Sequence, residues 1–158
     1  MGADVRERRL WLMARRDAER LVAQLTSLRC HGFVDQADLP AWIEAEMRKV
    51  RRVTSQPDAT LDERAGQAEL LSWMSAFLAE SGISGRCCVS SGISAFPWLD
   101  CEPRDDDWLA NLVTVRGSEL SFVSHGRDVA VVFFEEEYTY EAFRLTPDRP
   151  RRDDGSLP

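Results

Sequence analysis

Residues 129–134 read Val-Ala-Val-Val-Phe-Phe, an uninterrupted apolar run in the C-terminal part of a chain of 158 residues. Successive side chains of a β-strand point to opposite faces of its sheet, so a strand of this composition is apolar on both faces. We therefore expect a sheet that is covered on both sides at this strand. Helices cover one face readily. The second face has to be closed by the segment 93–99, by curling of the sheet or by another protein.

Five further segments beyond Gly85 also carry the pattern of β-strands, each bounded by turn residues. With the run above, the predicted strands are Cys87–Val89, Ile93–Leu99, Leu109–Val115, Leu120–Val123, Val129–Phe134 and Tyr138–Leu145. The short links at 116–118 and 124–127 predict hairpins. The third, fourth and fifth of these strands are therefore expected to form an antiparallel meander.

Three helices are predicted before the strands. The first runs from a cap at Asp4 to a stop at Gly32 and has a one-sided apolar stripe from Leu10 to Leu28. The second begins near Pro40 and repeats apolar residues at helical spacing: Leu39, Ile43, Met47 and Val50. The third starts at a capping box, Thr60-Leu61-Asp62-Glu63, and ends near Ser81.

Helices followed by strands indicate an α+β fold rather than alternating βαβ units. We predict three N-terminal helices packed on a C-terminal antiparallel β-meander of about five or six strands. Residues 1–146 are expected to form one α+β domain. Residues 147–158 contain three prolines and no periodicity, which predicts a flexible C-terminal tail.

The charge of the chain is negative and unevenly distributed. There are 20 Lys and Arg against 27 Asp and Glu, a formal net charge of −7. Residues 1–53 carry 11 basic and 8 acidic side chains, whereas 54–103 carry 2 and 7 and 104–146 carry 4 and 9. Acidity of this kind repels phosphate backbones, so we expect no nucleic-acid partner. No stretch has the composition of a membrane span, and we expect no membrane partner.

The common signatures of enzymes are missing from the sequence, which contains no phosphate-binding loop, zinc-protease helix or dinucleotide fingerprint. His31 is interpreted as a residue of the first helix's last turn and His125 as a turn residue. Four cysteines at spacings unlike those of zinc sites predict buried, reduced thiols, no metal and a cytoplasmic protein: Cys30, Cys87, Cys88 and Cys101. We expect no cofactor and no catalytic residues.

We assign no function to one short repeat. Ser91-Gly92-Ile93-Ser94 repeats the tetrapeptide of residues 81–84. A phosphate cradle would need a strand before this loop and a basic residue after it, and the nearby sequence offers only Arg86.

The most informative pattern is the combination of acidic loops with aromatic neighbours. Trp98 and Trp108 flank Asp100, Glu102 and an aspartate run, and a glutamate run leads into two tyrosines. Rigid aromatic rings are enriched in the energetic centres of interfaces, and carboxylates steer a basic partner. The predicted partner-binding residues are Trp98, Asp105, Asp106, Asp107, Trp108, Glu135, Glu136, Glu137, Tyr138 and Tyr140.

These observations favour a non-enzymatic acidic domain that docks on a basic protein, such as an immunity protein or antitoxin that occludes a nuclease-like toxin. One alternative is a small-molecule-binding protein or enzyme with an apolar pocket between the third helix and the sheet, lined by Trp73, Phe77, Trp98 and Phe133. The other is a homodimer or complex subunit, in which a second chain covers the two-sided strand or the stripe on the first helix.

Overall fold

The computed structural model describes residues 2–51 and 55–147. The helices in these ranges are α1 (Gly2–Gln24), α2 (Ala41–Val50), α3 (Gln67–Glu80) and α4 (Trp108–Arg116), with a short 3₁₀ turn at Gln36–Asp38. The strands are β1 (Leu28–Val34), β2 (Ala59–Asp62), β3 (Cys87–Ser90), β4 (Trp98–Pro103), β5 (Ser121–Ser124), β6 (Ala130–Glu135) and β7 (Thr139–Leu145). None of these helices combines the length and apolar content that crossing a membrane requires.

The strands form one seven-stranded antiparallel sheet in the order β1-β4-β3-β5-β6-β7-β2. The predicted α+β class is therefore confirmed. The predicted meander of 109–115, 120–123 and 129–134 is wrong in its first member, which is helical. The strands β5, β6 and β7 are neighbours in chain order and form a meander, and the predicted hairpin at 124–127 joins the first two of them. The helices and strands are more numerous and more mixed in order than the sequence predicts.

Both faces of the sheet are covered, as the apolar run at 129–134 requires. Val131 and Phe133 pack into one buried cluster with residues of α1, α3 and α4. Ala130 and Val132 point the other way into a second cluster. The second cluster is completed by apolar residues on or just before α2: Leu39, Ile43, Met47 and Val50. The second face is thus covered by a helix of the same chain, rather than by the segment 93–99 or a partner.

The predicted first helix is too long at its C-terminal end. Helix α1 stops at Gln24, and Leu28–Val34 forms β1, the edge strand beside β4. The register of this pairing shifts between Cys30 and Gly32, and the glycine has a φ of 131°. An irregular residue of this kind breaks the strict alternation by which a strand is recognised, so the segment resembled a helix end. His31 therefore lies in a strand and not in a helix.

The capping box predicted at 60–63 is wrong as a helix start. Residues Ala59–Asp62 form β2 and pair with β7. The Asp62 side chain caps a turn instead, because its Oδ1 accepts a hydrogen bond from the backbone N–H of Arg64 at 2.8 Å. Aspartate followed by such a turn has the same local chemistry as an N-cap. Helix α3 begins five residues after Asp62, at Gln67.

The segment Leu109–Val115, predicted as a strand, is the core of helix α4. Its buried residues Leu109, Leu112 and Val113 have the spacing of a helix face. The predicted hairpin at 116–118 is the end of this helix, where Gly117 adopts a φ of 86°. A short apolar run can belong to a strand or to a buried helix, because its periodicity alone does not distinguish the two.

The predicted strand Ile93–Leu99 is mostly a loop, and β4 begins only at Trp98. The predicted tail, residues 147–158, lies outside the described residues apart from Pro147. The single domain over residues 1–146 stays a prediction. Of the stripe on the first predicted helix, Leu21, Leu25 and Leu28 are buried, whereas Leu10 is 55 % exposed. A homodimer that uses this stripe also stays a prediction.

Candidate functional site

The connection between β6 and β7 presents the predicted glutamate run to solvent. Glu135, Glu136 and Glu137 are exposed, and Tyr138 is 68 % exposed. We call these four residues the acidic turn. The turn is held by a hydrogen bond from the backbone N–H of Glu136 to the carbonyl of Thr139, at 2.8 Å. The acidic turn is therefore an ordered hairpin end that displays one aromatic ring.

Further carboxylates come to the same end of the sheet from other parts of the chain. Asp62 is the register partner of Thr139, and the backbone N–H of Glu63 donates to the carbonyl of Tyr138 at 3.1 Å. The Oε1 atom of Glu119 accepts a hydrogen bond from the backbone N–H of Glu135 at 3.3 Å. The acidic residues gathered at this end are Asp62, Glu63, Glu119, Glu135, Glu136, Glu137 and Glu141.

These seven carboxylates form no ion pair with a cation within residues 2–51 and 55–147. The cations of the first two helices that form ion pairs do so within their own helix, as Arg15 does with Glu19 and Arg48 with Glu44. Glu135 is bound by a neutral group, the Ser118 hydroxyl, which donates to its Oε2 at 2.7 Å. No arginine of α1 or α2 within the described residues therefore forms an ion pair with the carboxylates at this end.

Glu141 shows the energetic cost of this crowding. Partial burial and the neighbouring Glu136 raise the pKa of the Glu141 carboxyl above its ordinary value of 4.5. A carboxyl with a raised pKa in the folded state opposes folding when it is ionised. This loss of stability is absent at pH values below the ordinary pKa and complete at pH values above the raised pKa of the folded state.

We expect Glu141→Gln to increase the free energy of unfolding near neutral pH, because the amide removes an unfavourable charge. The gain should disappear at about pH 3, where the carboxyl is protonated in both the folded and the unfolded chain. Denaturant unfolding of both proteins at the two pH values measures this. An equal change at both pH values, or a loss of stability near pH 7, would show that the charge is not the cause.

The aspartate run lies at the other end of the strands. Asp105, Asp106 and Asp107 begin two residues after the end of β4, whereas the acidic turn begins at the last residue of β6. These two strands run in opposite directions in the sheet. The Oδ1 atom of Asp105 accepts a hydrogen bond from the backbone N–H of Asp107 at 2.9 Å. The carbonyl of Asp107 accepts a hydrogen bond from the backbone N–H of Asn111. Carboxylates near a helix N-terminus interact favourably with the helix dipole. This run therefore has a local structural role at the start of α4.

The four predicted rings have different environments. Trp98 is 4 % exposed, and its Nε1 donates to Gln36 Oε1 at 2.9 Å. Trp108 is half-buried, with its ring edge-on to Phe122, and Tyr140 packs against the first core cluster. Tyr138 is the one ring of the four that is mainly exposed. The structure thus brings Glu135, Glu136, Glu137 and Tyr138 together and separates them from the aspartate run.

The four rings predicted to line a pocket do not share one. Trp73 and Phe77 of α3 contact Phe133 edge-on, with ring centroids 5.7 and 5.9 Å apart. Trp98 lies in the second cluster, on the opposite face of the sheet. Helix α3 therefore meets the sheet at these contacts as packed core, and the fourth ring is not part of that arrangement.

The other two predicted acids, Asp100 and Glu102, are paired with cations. Arg86 donates two hydrogen bonds to the Asp100 carboxylate, at 3.0 and 2.8 Å, and this guanidinium lowers the pKa of that carboxyl. Glu102 Oε1 lies 2.9 Å from His31 Nε2 and 3.9 Å from Arg29. These partners leave little uncompensated charge on the exposed end of β4.

The cysteines are placed for packing rather than for thiolate chemistry. Cys30, Cys101 and Cys87 are register partners across β1, β4 and β3, while Cys88 faces the second cluster. Burial raises the pKa of the Cys30 and Cys88 thiols to about 11. Thiols with raised pKa values are protonated at neutral pH and are poor nucleophiles and ligands. Across the described residues, no group of three His, Cys, Asp or Glu side chains is placed to hold a metal ion.

A cleft that the sequence did not predict lies on the α2 face of the sheet. Its larger cavity has a volume of about 360 Å³ and adjoins a second of about 200 Å³. The residues that line both are Met47, Arg51, Ser90, Gly92 and Ser121. The loop Ser91-Gly92-Ile93-Ser94 does follow a strand, and the missing basic residue is Arg116 at the end of α4. The sequence signal failed because the arginine is distant along the chain.

Searches against protein-family models, curated proteins and solved structures find no match to this chain.

Proposed function

We propose that this protein is a non-enzymatic binding domain that docks on a basic protein partner through the acidic turn. The observation that supports this proposal is an exposed Tyr138 at an end of the sheet where seven carboxylates form no ion pair with a described cation. The surface that we propose leaves out the aspartate run, because it lies at the opposite end of the sheet.

The physical basis is electrostatic attraction combined with a rigid anchor. Unpaired carboxylates concentrated at one end of a small protein attract a cationic surface over about 8–10 Å at physiological salt. A tyrosine loses few degrees of freedom when it is buried at an interface, so it supplies contact area at low entropic cost. Charge would therefore set the rate of encounter, and the ring would slow dissociation.

An inhibitor of a nucleic-acid-processing enzyme is the specific class that we propose, of the type formed by immunity proteins and antitoxins. Such an enzyme needs a basic surface to bind phosphate groups. An acidic turn that occupies this surface competes with the nucleic acid for the same cations. No catalytic group of this chain is required for that action.

Affinity capture from the source cell with three forms of the protein tests the proposal. The test bait carries Glu135→Gln, Glu136→Gln and Glu137→Gln. The matched control bait carries Asp105→Asn, Asp106→Asn and Asp107→Asn, which changes the net charge by the same amount at the other end of the sheet. We expect the wild type and the control to retain a protein of basic composition, and the test bait to lose it.

The position of the charge, and not its total, is what this comparison measures. Equal loss of the partner from both triple variants would indicate a general effect of net charge and would contradict the proposed surface. Capture of an acidic or neutral protein that the test bait also retains would contradict the proposed partner class.

A further inference from the structure

A second site is suggested by the cleft between α2, the loop after β3 and the end of α4. It lies on the sheet face opposite α3 and uses none of the four residues of the acidic turn. The larger cavity is bounded by both charged and apolar side chains, which is the composition of a small-molecule site. Its lining residues include Glu44, Arg48, Arg51, Ile93, Pro97 and Trp98.

The Arg116 side chain is held at this cleft by a backbone carbonyl rather than by a carboxylate. Its Nε donates to the carbonyl of Ser90 at 3.3 Å, and the guanidinium lies against Gly92. A Cβ atom on Gly92 would lie 2.6 Å from Nη1 of Arg116, and the φ of this glycine is +76°. Glycine is therefore required twice, for its backbone conformation and for the space that the guanidinium occupies.

The cleft contains more positive than negative side chains: Arg48, Arg51 and Arg116 against Glu44 and Glu119, which lines the smaller cavity. Arg116 is half-buried and Arg51 is exposed, and neither forms an ion pair within the described part of the chain. Arg48 differs, because its guanidinium is bound to Glu44 at 2.7 Å. Burial lowers the pKa of the Arg116 guanidinium, which is the direction expected for a cation that an anion does not compensate. The site is therefore short of one negatively charged group.

Hydroxyl donors and an apolar wall complete the surroundings. Ser90 Oγ already accepts the backbone N–H of Ser121 at 2.9 Å, which leaves its own hydrogen available to a ligand. Ser94 and Ser121 also line the larger cavity. The apolar part of the wall is made by Met47, Ile93, Pro97 and Trp98.

We propose that this cleft binds a small organic phosphate, with the phosphate between Arg51 and Arg116 and the organic part against Pro97 and Trp98. Guanidinium groups bind phosphate oxygens through paired, charge-assisted hydrogen bonds. Two cations with hydroxyl donors suit a phosphate dianion better than a single carboxylate. The proposal does not depend on the acidic turn, so either can fail without the other.

Phenyl phosphate is a suitable probe, because it combines a phosphate with one aromatic ring. Titration calorimetry at constant ionic strength is expected to show saturable binding with one molecule per chain. Benzoate should bind more weakly, since it offers one charge and fewer acceptor atoms, and inorganic phosphate should bind more weakly because it lacks the ring. Benzyl alcohol should give no binding signal.

Arg116→Gln is expected to weaken phenyl phosphate binding by at least about tenfold, since it removes a charge-assisted hydrogen bond from the site. Arg51→Gln is the second variant and decides the question if the first does not fold. Arg20→Gln, which removes an exposed guanidinium on α1, is the matched control and should bind as the wild type does.

Three results would overturn the assignment. They are the absence of saturable binding to the wild type, unchanged affinity in both cleft variants, and equal loss in the Arg20→Gln control. Inorganic phosphate that binds as tightly as phenyl phosphate would overturn the organic part of the ligand, because the apolar wall would then contribute nothing.

Discussion

Phe133→Ala is expected to lower the free energy of unfolding by about 3–5 kcal/mol, the usual cost of removing a buried aromatic ring. Phe133 is 2 % exposed and contacts three rings edge-on: Trp73, Phe77 and Phe122. Its removal leaves a cavity where α3 meets the sheet and deletes three favourable aromatic pairs. Equilibrium denaturation in urea, analysed with a common slope, measures the change.

Phe134 is the matched control, because it is the next residue of the same strand and points to the other face. It is half-buried and contacts one ring, Phe143, at a centroid distance of 5.7 Å. We expect Phe134→Ala to cost clearly less than Phe133→Ala. Equal costs, or a larger cost at Phe134, would contradict the expectation that burial and the number of ring contacts set the cost of removing each ring.

Ile43→Ala is expected to lower the free energy of unfolding by about 2–5 kcal/mol. Ile43 is 0 % exposed at the centre of the α2 contact with the sheet. Truncating its side chain opens a cavity between α2 and the second face, which a short helix of ten residues cannot easily close by shifting. Thermal and urea unfolding of the variant measure this cost.

The same helix provides a control. Glu44→Gln changes an exposed side chain one residue away, and its surface ion pair with Arg48 is worth at most about 1 kcal/mol. A small effect at Glu44 with a large effect at Ile43 is the expected result. Tolerance of Ile43→Ala would mean that α2 is not what covers the second face of the sheet.

The sequence predicts well those features that depend on neighbours in the chain. Residues 129–134 are apolar at every position, and this alone required a cover on both faces. The turn at 124–127 has the composition of a hairpin and joins β5 to β6. The class of the fold follows from such local patterns, because they report on the faces and ends of single elements.

The failures occur where pairing with a distant strand decides the structure. Residues 28–34 pair with β4, and residues 59–62 pair with β7, in each case with a partner more than sixty residues away. Neither partner can be recognised from a short apolar segment, so the local helix signals alone predict the wrong element. The run at 109–115 is helical because its buried residues face the same core cluster, a tertiary cause that the composition does not reveal.

The candidate site shows the same division. The exposed glutamates before Tyr138 were found because they are consecutive, while Asp62, Glu63 and Glu119 join them only through the sheet. The inward direction of Trp98 follows from strand register, which depends on where β4 begins. Arg51 follows α2 and Arg116 ends α4, so no spacing in the sequence could associate them with one cleft.

The salt dependence of association with the captured basic partner tests the proposed function most directly. We predict that the stopped-flow association rate constant of the wild type falls by roughly tenfold or more between about 10 mM and about 300 mM NaCl. The variant with glutamine at positions 135–137 should associate slowly at both concentrations. A wild-type rate constant that does not change with salt, or a variant that associates as fast as the wild type at low salt, would contradict the account.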